Sequence, residues 1–548
     1  MVIWRLVRVL GLATLTGFSA VPSGAAEIVL ADASATWHID IRHHHAGSGE
    51  LYMNETMGAG VAIFDYDGDG DSDVFFVDSN VLPGYTGPTP RSRLLRNDGP
   101  TRFVDVTDAS GIEVTSYGMG AYPADIDNDG DFDLYISAFG ADQMFRNNGN
   151  GSFTDISAQS GVDDPRWSTA AAFLDGDGDG DLDLYVARYV DFTLDNNKPC
   201  GLLDKGLRSY CHPDVYEGEV DSYYRNRGDG TFENASATAG ITAVSEIEPG
   251  KGLGAVASDL DGDGALDVYV ANDMTVNFQL QGKGDGTFED VALFTGTAVS
   301  DLGENEAGMG IGIGDVDANG HFDLFVTHLD LQTNALYANQ GSGIFADRRF
   351  VSKLGEPSLY KVGFGTAFAD LDHDTDLDVV VANGHIIHNI EQWGNGSTYK
   401  QANQIFENLG DGSFAEAEAG LEAVRSSRGL ALGDLDLDGD LDLLITNNDD
   451  RAEIYENQTR TGGWLQLAFV HPGHGLGYRV EVTSADAEQI REVVSGSSYL
   501  SQHEPIVHVG LDKANKVDRV VVRTPTGHRF ALVNPPIDRR LVMSTARP

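Results

Sequence analysis

Basic residues are scarce: 36 Lys and Arg stand against 85 Asp and Glu in 548 residues, a formal net charge of −49. A chain this acidic repels nucleic acid and anionic membranes, which excludes both as partners. Cysteine is almost absent, with only Cys200 and Cys211. Long apolar runs are missing too. Past the N-terminus no segment approaches the roughly 20 residues of a membrane span. Catalytic signatures are equally missing: the sequence contains no H-E-x-x-H, G-x-S-x-G or C-x-x-C motif.

What is present is glycine, 66 residues of it, and acid in short clusters, each followed at once by an apolar run such as Leu184-Tyr185-Val186. That mixture suits many short strands joined by tight turns. Arg5 and Arg8 precede an apolar stretch, Val9 to Ala20, and the small residues Gly24-Ala25-Ala26. Residues 1–26 therefore read as a signal peptide, cleaved to leave a secreted or periplasmic protein without a transmembrane segment.

The clusters are one loop repeated seven times, D-x-D-x-D-G-x-x-D. Its positions 1, 3, 5, 7 and 9 are Asp65, Asp67, Asp69, Asp71 and Asp73 in the first copy, and Asp125, Asp127, Asp129, Asp131 and Asp133 in the second. The third has Asp175, Asp177, Asp179, Asp181 and Asp183; the fourth, Asp259, Asp261, Asp263, Ala265 and Asp267. The fifth has Asp315, Asp317, Asn319, His321 and Asp323; the sixth, Asp370, Asp372, Asp374, Asp376 and Asp378. Asp434, Asp436, Asp438, Asp440 and Asp442 form the last. Successive copies start 50 to 64 residues apart except for one gap of 84. Such spacing is near the length of a four-stranded propeller blade, and the long gap marks an insertion at about 191–222.

Each loop follows a Gly-rich strand such as Gly58 to Phe64 and precedes an apolar one such as Leu134-Tyr-Ile136. An N-x-G-x-G-x-F turn comes next, as in Asn147 to Phe153. The predicted fold is all-β, a seven-bladed β-propeller over 27–459 with a small β-domain over 460–548. The seventh blade lacks its outer hairpin, so Ile28 to Ala31 is expected to supply the outer strand and close the ring.

Calcium takes six to eight oxygen ligands, and side chains at positions 1, 3 and 5 can converge on one ion. Gly at position 6 permits the sharp turn, position 7 offers its backbone carbonyl and Asp at position 9 closes the cage. An EF-hand closes with Glu at position 12 and lies between helices, so it does not fit. About seven Ca2+ are expected, with the sixth site the weakest because Thr375 stands in place of Gly.

With these loops in view the chain resembles the FG-GAP/VCBS repeat family, which includes the propellers of integrin α-subunits. The stretches that carry the resemblance include Glu55 to Asp67, Phe364 to Asp372 and Val381-Ala-Asn-Gly-His385. Arg491 to Ser501, His508-Val-Gly-Leu511 and Pro525-Thr-Gly527 resemble the ASPIC/UnbV domain of the cartilage acidic protein-like group. The resemblance implies a calcium-bearing propeller of binding or adhesion type, with a protein or glycan as partner. The competing reading is a calcium-dependent enzyme acting on a small molecule at the propeller face or inter-domain cleft.

The remaining features are local. Cys200 and Cys211 lie in the insertion and, in an exported protein, are most simply a disulfide. The insertion is also the first candidate for a partner-binding surface. His43-His44-His45 and the pair His385/His388 invite a transition-metal reading, set against ordinary loop histidines making hydrogen bonds. Asn54, Asn234, Asn395 and Asn457 head N-x-S/T triplets.

Overall fold

The computed structural model describes residues 27–544 except 100, 101, 248, 460, 461, 471, 472 and 486. The expected signal peptide lies outside the described residues. Among the described residues seven antiparallel repeat sheets follow one another along the chain, each with four strands from its own repeat or, in the seventh, three and a borrowed one. The first runs Val61–Phe64, Asp73–Phe76, Arg93–Asn97 and Phe103–Asp105. In every sheet the acidic loop joins the first strand to the second, so its position 9 opens the second strand, as Asp133 does in Asp133–Phe139.

Adjacent sheets are held together by apolar side chains that alternate along their strands. Phe64, Phe75 and Leu94 of the first sheet share a buried cluster with Leu134, Ile136 and Phe145 of the second. Leu444 and Ile454 of the seventh share another with Val61, Val74 and Leu95 of the first. The succession thus returns to its beginning. First strands pack closely where glycine allows it. A Cβ on Gly310 would lie 1.9 Å from the Phe364 carbonyl oxygen of the next sheet.

The seventh sheet takes its outermost strand from the N-terminus: Leu30–Asp32 pairs antiparallel with Glu453–Asn457, with Leu30 opposite Asn457. This is the pairing expected from the missing hairpin. The insertion carries a short hairpin, Cys200–Leu202 with Leu207–Ser209, closed by the Cys200–Cys211 disulfide.

The C-terminal region, read from the sequence as a small β-domain packed on the propeller, forms its own sheets, one of Trp464–Phe469 between Ile506–Gly510 and Arg539–Met543, the other of four strands from Arg479 to Val533. Its packing on the repeat sheets is intimate. Leu465, Leu467, Phe469 and Val480 share one apolar core with Tyr122, Ile126 and Phe173 of the second and third sheets.

Residues 495–504 go further and run between the innermost strands. Ser495–Gly496 pairs with Val256 and Ala257 as a fifth strand of the fourth sheet. The Ile311 N–H donates to the Ser498 carbonyl, and the Gln502 N–H to the Val61 carbonyl. Ser495 Oγ accepts from the Phe173 N–H at 2.8 Å, and the Glu504 N–H reaches the Leu432 carbonyl. Five of the seven sheets are thus tied to one axial segment. The small residues of Ser495-Gly496-Ser497-Ser498 explain how it fits so narrow a space.

Candidate metal loops

In each loop the position-9 aspartate is a buried anchor. Asp73 Oδ2 accepts the Tyr66 N–H at 2.9 Å and Oδ1 the Asn97 N–H at 2.8 Å, fastening the loop to the third strand. The same two bonds recur at Asp133, Asp323, Asp378 and Asp442. Position 1 binds the turn itself: Asp65 accepts from the N–H groups of Gly68, Asp69 and Gly70.

Position 7 tolerates any side chain because its backbone N–H makes the contact. The N–H groups of Ala265 and His321 donate to Asp263 and Asn319 at 2.8 and 2.9 Å, as that of Asp71 does to Asp69. At two of the acidic position-7 residues the carboxylate reaches a neighbouring loop. Asp181 accepts from Asn128 at 2.8 Å, and Asp440 lies 3.4 Å from His373. At position 6 the glycines have φ near +90°, Gly70 at 97° and Gly180 at 92°. Thr375 holds φ 89° at the same place, so the sixth loop keeps its shape at the expense of backbone strain.

Carboxylates converge within these loops. Oxygens of Asp65, Asp67 and Asp73 lie within 4.8 Å of one another, as do those of Asp125, Asp127 and Asp133, and of Asp315, Asp317 and Asp323. The groups in the third and fourth loops are Asp175/Asp177/Asp179 and Asp259/Asp261/Asp263. Burial pushes the Asp73 carboxyl up to about 9, Asp133 and Asp323 to about 8 and Asp183 to about 7. Buried oxygens of Asp127, Asp175, Asp177, Asp370, Asp372 and Asp434 have no hydrogen-bond partner. An oxygen-rich donor set of this kind, crowded, buried and incompletely paired, fits a hard divalent cation.

The loops face the C-terminal region. Arg479 donates to the Gly320 carbonyl at 2.8 Å, Gln466 to Asp434 at 2.9 Å, and the Asp512 N–H to the His373 carbonyl. His474 stacks on Phe132 with ring centroids 3.7 Å apart.

The asparagine that opens each N-x-G-x-G-x-F turn has a role that sequence reasoning missed. Asn147 Nδ2 donates to the Tyr66 carbonyl of the preceding sheet's loop at 2.7 Å, and Asn226 to Ile126 at 2.8 Å. Asn339, Asn408 and Asn457 repeat the bond, and Asn97 makes it backwards to Leu435 of the seventh loop. The fourth sheet has Gly282 there, and the Gly286 N–H reaches the Gly176 carbonyl instead. The signal was the recurrence of Asn as the last residue of the third strand, as in Arg93–Asn97, Gln143–Asn147 and Ser222–Asn226. Two of the N-x-S/T asparagines, Asn54 and Asn457, are buried.

Repeated four-stranded sheets, each with an acidic metal-type loop on one end, define an all-β repeat protein with propeller-like architecture. Its repeats match the FG-GAP-like repeat over residues 65–136, 133–186, 212–270, 259–326, 315–381 and 393–445. Residues 471–547 match the family described as ASPIC and UnbV. The repeat matches cover more than half of the chain, and the protein belongs to the FG-GAP-like repeat family with a C-terminal ASPIC and UnbV region.

Among relatives, cartilage acidic protein 1 of Xenopus tropicalis is 26% identical over 521 residues, covering 86% of this chain and 71% of that protein. The Homo sapiens protein of that name is 26% identical over 323 residues, covering 55% of this chain and 44% of its own length. A solved Agrocybe aegerita lectin that recognises non-reducing terminal N-acetylglucosamine has 16% identity and a TM-score of 0.39, covering 78% of this chain and 87% of the lectin. The V. cholerae biofilm matrix protein Bap1 has 11% identity and a TM-score of 0.31, covering 93% and 76%. Neither structural likeness bears on what this chain binds. Among the described residues no helix is long and apolar enough to cross a membrane.

Proposed function

We propose that this is an exported calcium-binding protein whose seven sheets are the blades of a closed propeller, acting as a binding or adhesion-type module for a protein or glycan. The observation that carries the calcium reading is the sevenfold loop with buried carboxylate oxygens left without partners. Calcium bound there would neutralise carboxylates that burial otherwise holds in an unfavourable state. The positions that would hold it are 1, 3, 5 and 9 of each loop. Export rests on the reading of residues 1–26 as a signal peptide, and the disulfide suits an oxidising compartment. The binding role follows the family resemblance, with the disulfide-closed insertion as the first candidate surface.

Chelation tests this. In EGTA the melting temperature should fall by 10 °C or more, on the order of several kcal/mol, with recovery in Ca2+ but poorly in Mg2+, which demands stricter octahedral geometry. Equal melting curves with and without chelator, together with no metal by elemental analysis, would sink the calcium reading. A pull-down from the native exported fraction, run with and without chelator, tests the partner separately.

A further inference from the structure

The first strands of the fifth, sixth and seventh sheets, Ile311–Gly314, Gly363–Ala369 and Ser427–Gly433, do not close fully on the C-terminal region. Between them, the strand Ala487–Glu492 and the axial segment lies a cavity of about 120 Å³. Its walls are mostly apolar, with Ile313, Phe368, Leu432, Ile490, Val494 and Ile506 among them. A wholly apolar cavity stays dry, whereas a polar one takes up water or a ligand. This one is mixed, because Arg491 and His503 also line it. Both lie deep in the molecule yet keep part of their surface accessible, and that surface is the cavity wall.

Arg491 is a buried cation without a counter-ion. It donates to the Ile490 carbonyl at 2.9 Å and to Gln489 Oε1 at 2.8 Å, both uncharged, and its Nε is buried without a partner. Among the described residues no carboxylate lies within ion-pair distance of it, whereas Arg188 meets Asp142 at 3.0 Å, Arg349 meets Glu306 at 2.7 Å and Arg540 meets Glu504 at 2.7 Å. Arg428 also lacks a carboxylate, but it donates to four carbonyls and lies over the Phe364 ring. His503 presents a donor. The Leu432 N–H reaches its Nδ1 at 3.1 Å, which puts the ring proton on Nε2, and burial holds its pKa down to about 4, so the ring is neutral at physiological pH. Among the described residues no acceptor meets that Nε2–H. Histidines at the other end of the sheets are engaged by acids instead, His44 by Asp78 at 2.9 Å and His385 by Asp330 at 3.3 Å.

We infer that this cavity binds a small monocarboxylic acid with a compact apolar body of about four or five carbons, its carboxylate meeting Arg491 and His503 and its hydrocarbon part filling the space among the apolar walls. A carboxylate supplies the counter-ion that Arg491 lacks and an acceptor for the His503 N–H. A neutral molecule of the same shape supplies only the acceptor and leaves a buried charge uncompensated, which is costly. The volume sets the size of the body, since an engineered cavity of about 150 Å³ holds benzene. Acids on the wall do not take the place of the ligand. Glu504 is paired with Arg540, and Glu492, pushed up to about 8 by burial, is uncharged at neutral pH. The site is separate from the surface proposed for a protein or glycan and does not rest on that reading.

The test is equilibrium dialysis of the full chain against radiolabelled isovalerate, with isovaleramide as the neutral analogue, because dialysis allows slow entry into a buried site. Saturating Ca2+ is kept throughout, so that any cation of the sixth loop, whose Asp370 also lines the cavity, is in place. One equivalent of isovalerate should bind, and isovaleramide about 10-fold or more weakly. Arg491→Met should remove that preference. Ile313→Phe, which puts a larger apolar side chain into the cavity, should abolish binding of both. Arg523→Ala, at an exposed position paired with Glu481 on the same C-terminal sheet, should leave affinity unchanged. No isovalerate bound by the wild type would mean that the cavity holds water only, and would overturn the site. So would equal affinity for acid and amide, unchanged affinity in folded Ile313→Phe, or a loss in Arg523→Ala. If Arg491→Met does not fold, the comparison of acid with amide in the wild type still decides whether charge is recognised.

Discussion

The sheets and the C-terminal region are built on opposite logics. In the sheets a local pattern recurs seven times, and each copy ties itself to its neighbour by the same few bonds. The C-terminal region has no internal repeat, and its key segment, 495–504, bonds to five different sheets through five different local arrangements. Repetition makes the first region robust to variation in any one copy, as Gly282 shows by replacing an asparagine without breaking the succession. The second region has no such redundancy, so one segment carries contacts that no other part of the chain duplicates.

The largest test of that contrast is truncation. Removing 460–548 takes away the axial segment and half of a shared core. The calcium-loaded melting temperature should fall by about 10 °C or more, at least as far as for deletion of 27–40. A chain ending at 459 that melts like the full protein would show that the C-terminal region is separable from the sheets.

Within the repeat, Asn97→Ala leaves the Leu435 and Ser72 carbonyls without their donor. It should destabilise by about 1–3 kcal/mol, measured by urea denaturation. Asn408→Ala should cost about the same. A much larger loss at Asn97 alone would mean that the seventh-to-first junction is weaker than the others.

Acidity offers a finer test. In the cation-free protein the carboxyls of Asp73, Asp133 and Asp323 sit at about 9, 8 and 8, above the ordinary 3.8. Folding then favours the protonated form, so these groups add stability at low pH that is lost as pH rises through their folded values. In EGTA the melting temperature should therefore rise as pH falls from 8.5 to 7. Below about 6.5 the buried His43, His328 and His503, each held down to about 4 by burial, act in the opposite direction. A flat profile from 8.5 to 7 would show that the anchors take up no protons on folding and stay ionised in the folded protein.

Smallest is Thr375→Gly, which relieves a left-handed backbone in the sixth loop and should stabilise by about 1 kcal/mol. Loss of stability instead would mean that the threonine side chain, not the turn, sets that loop.

The same contrast explains what could be read from sequence. The loops, the strands beside them and the borrowed N-terminal strand were legible because each is a local pattern or the visible absence of one. Ser495 to Ser498 have no periodicity, and their partners lie hundreds of residues away, so nothing nearby marks them as axial. The asparagine bonds hid inside a recognised turn motif, whose glycines explain the turn and draw attention from the side chain.

The borrowed strand also sets an order of events in time. Val29 donates its N–H to Thr459, 430 residues away, and Val61 donates to Ser501 across 440. Contacts that close loops of such length form slowly. The N-terminal end therefore has no native partner until nearly the whole sequence has emerged, and the centre of the molecule is among the last parts to be completed. Until then the edge of the seventh sheet and the inner strands stay exposed, and this is the interval in which the chain is most open to aggregation.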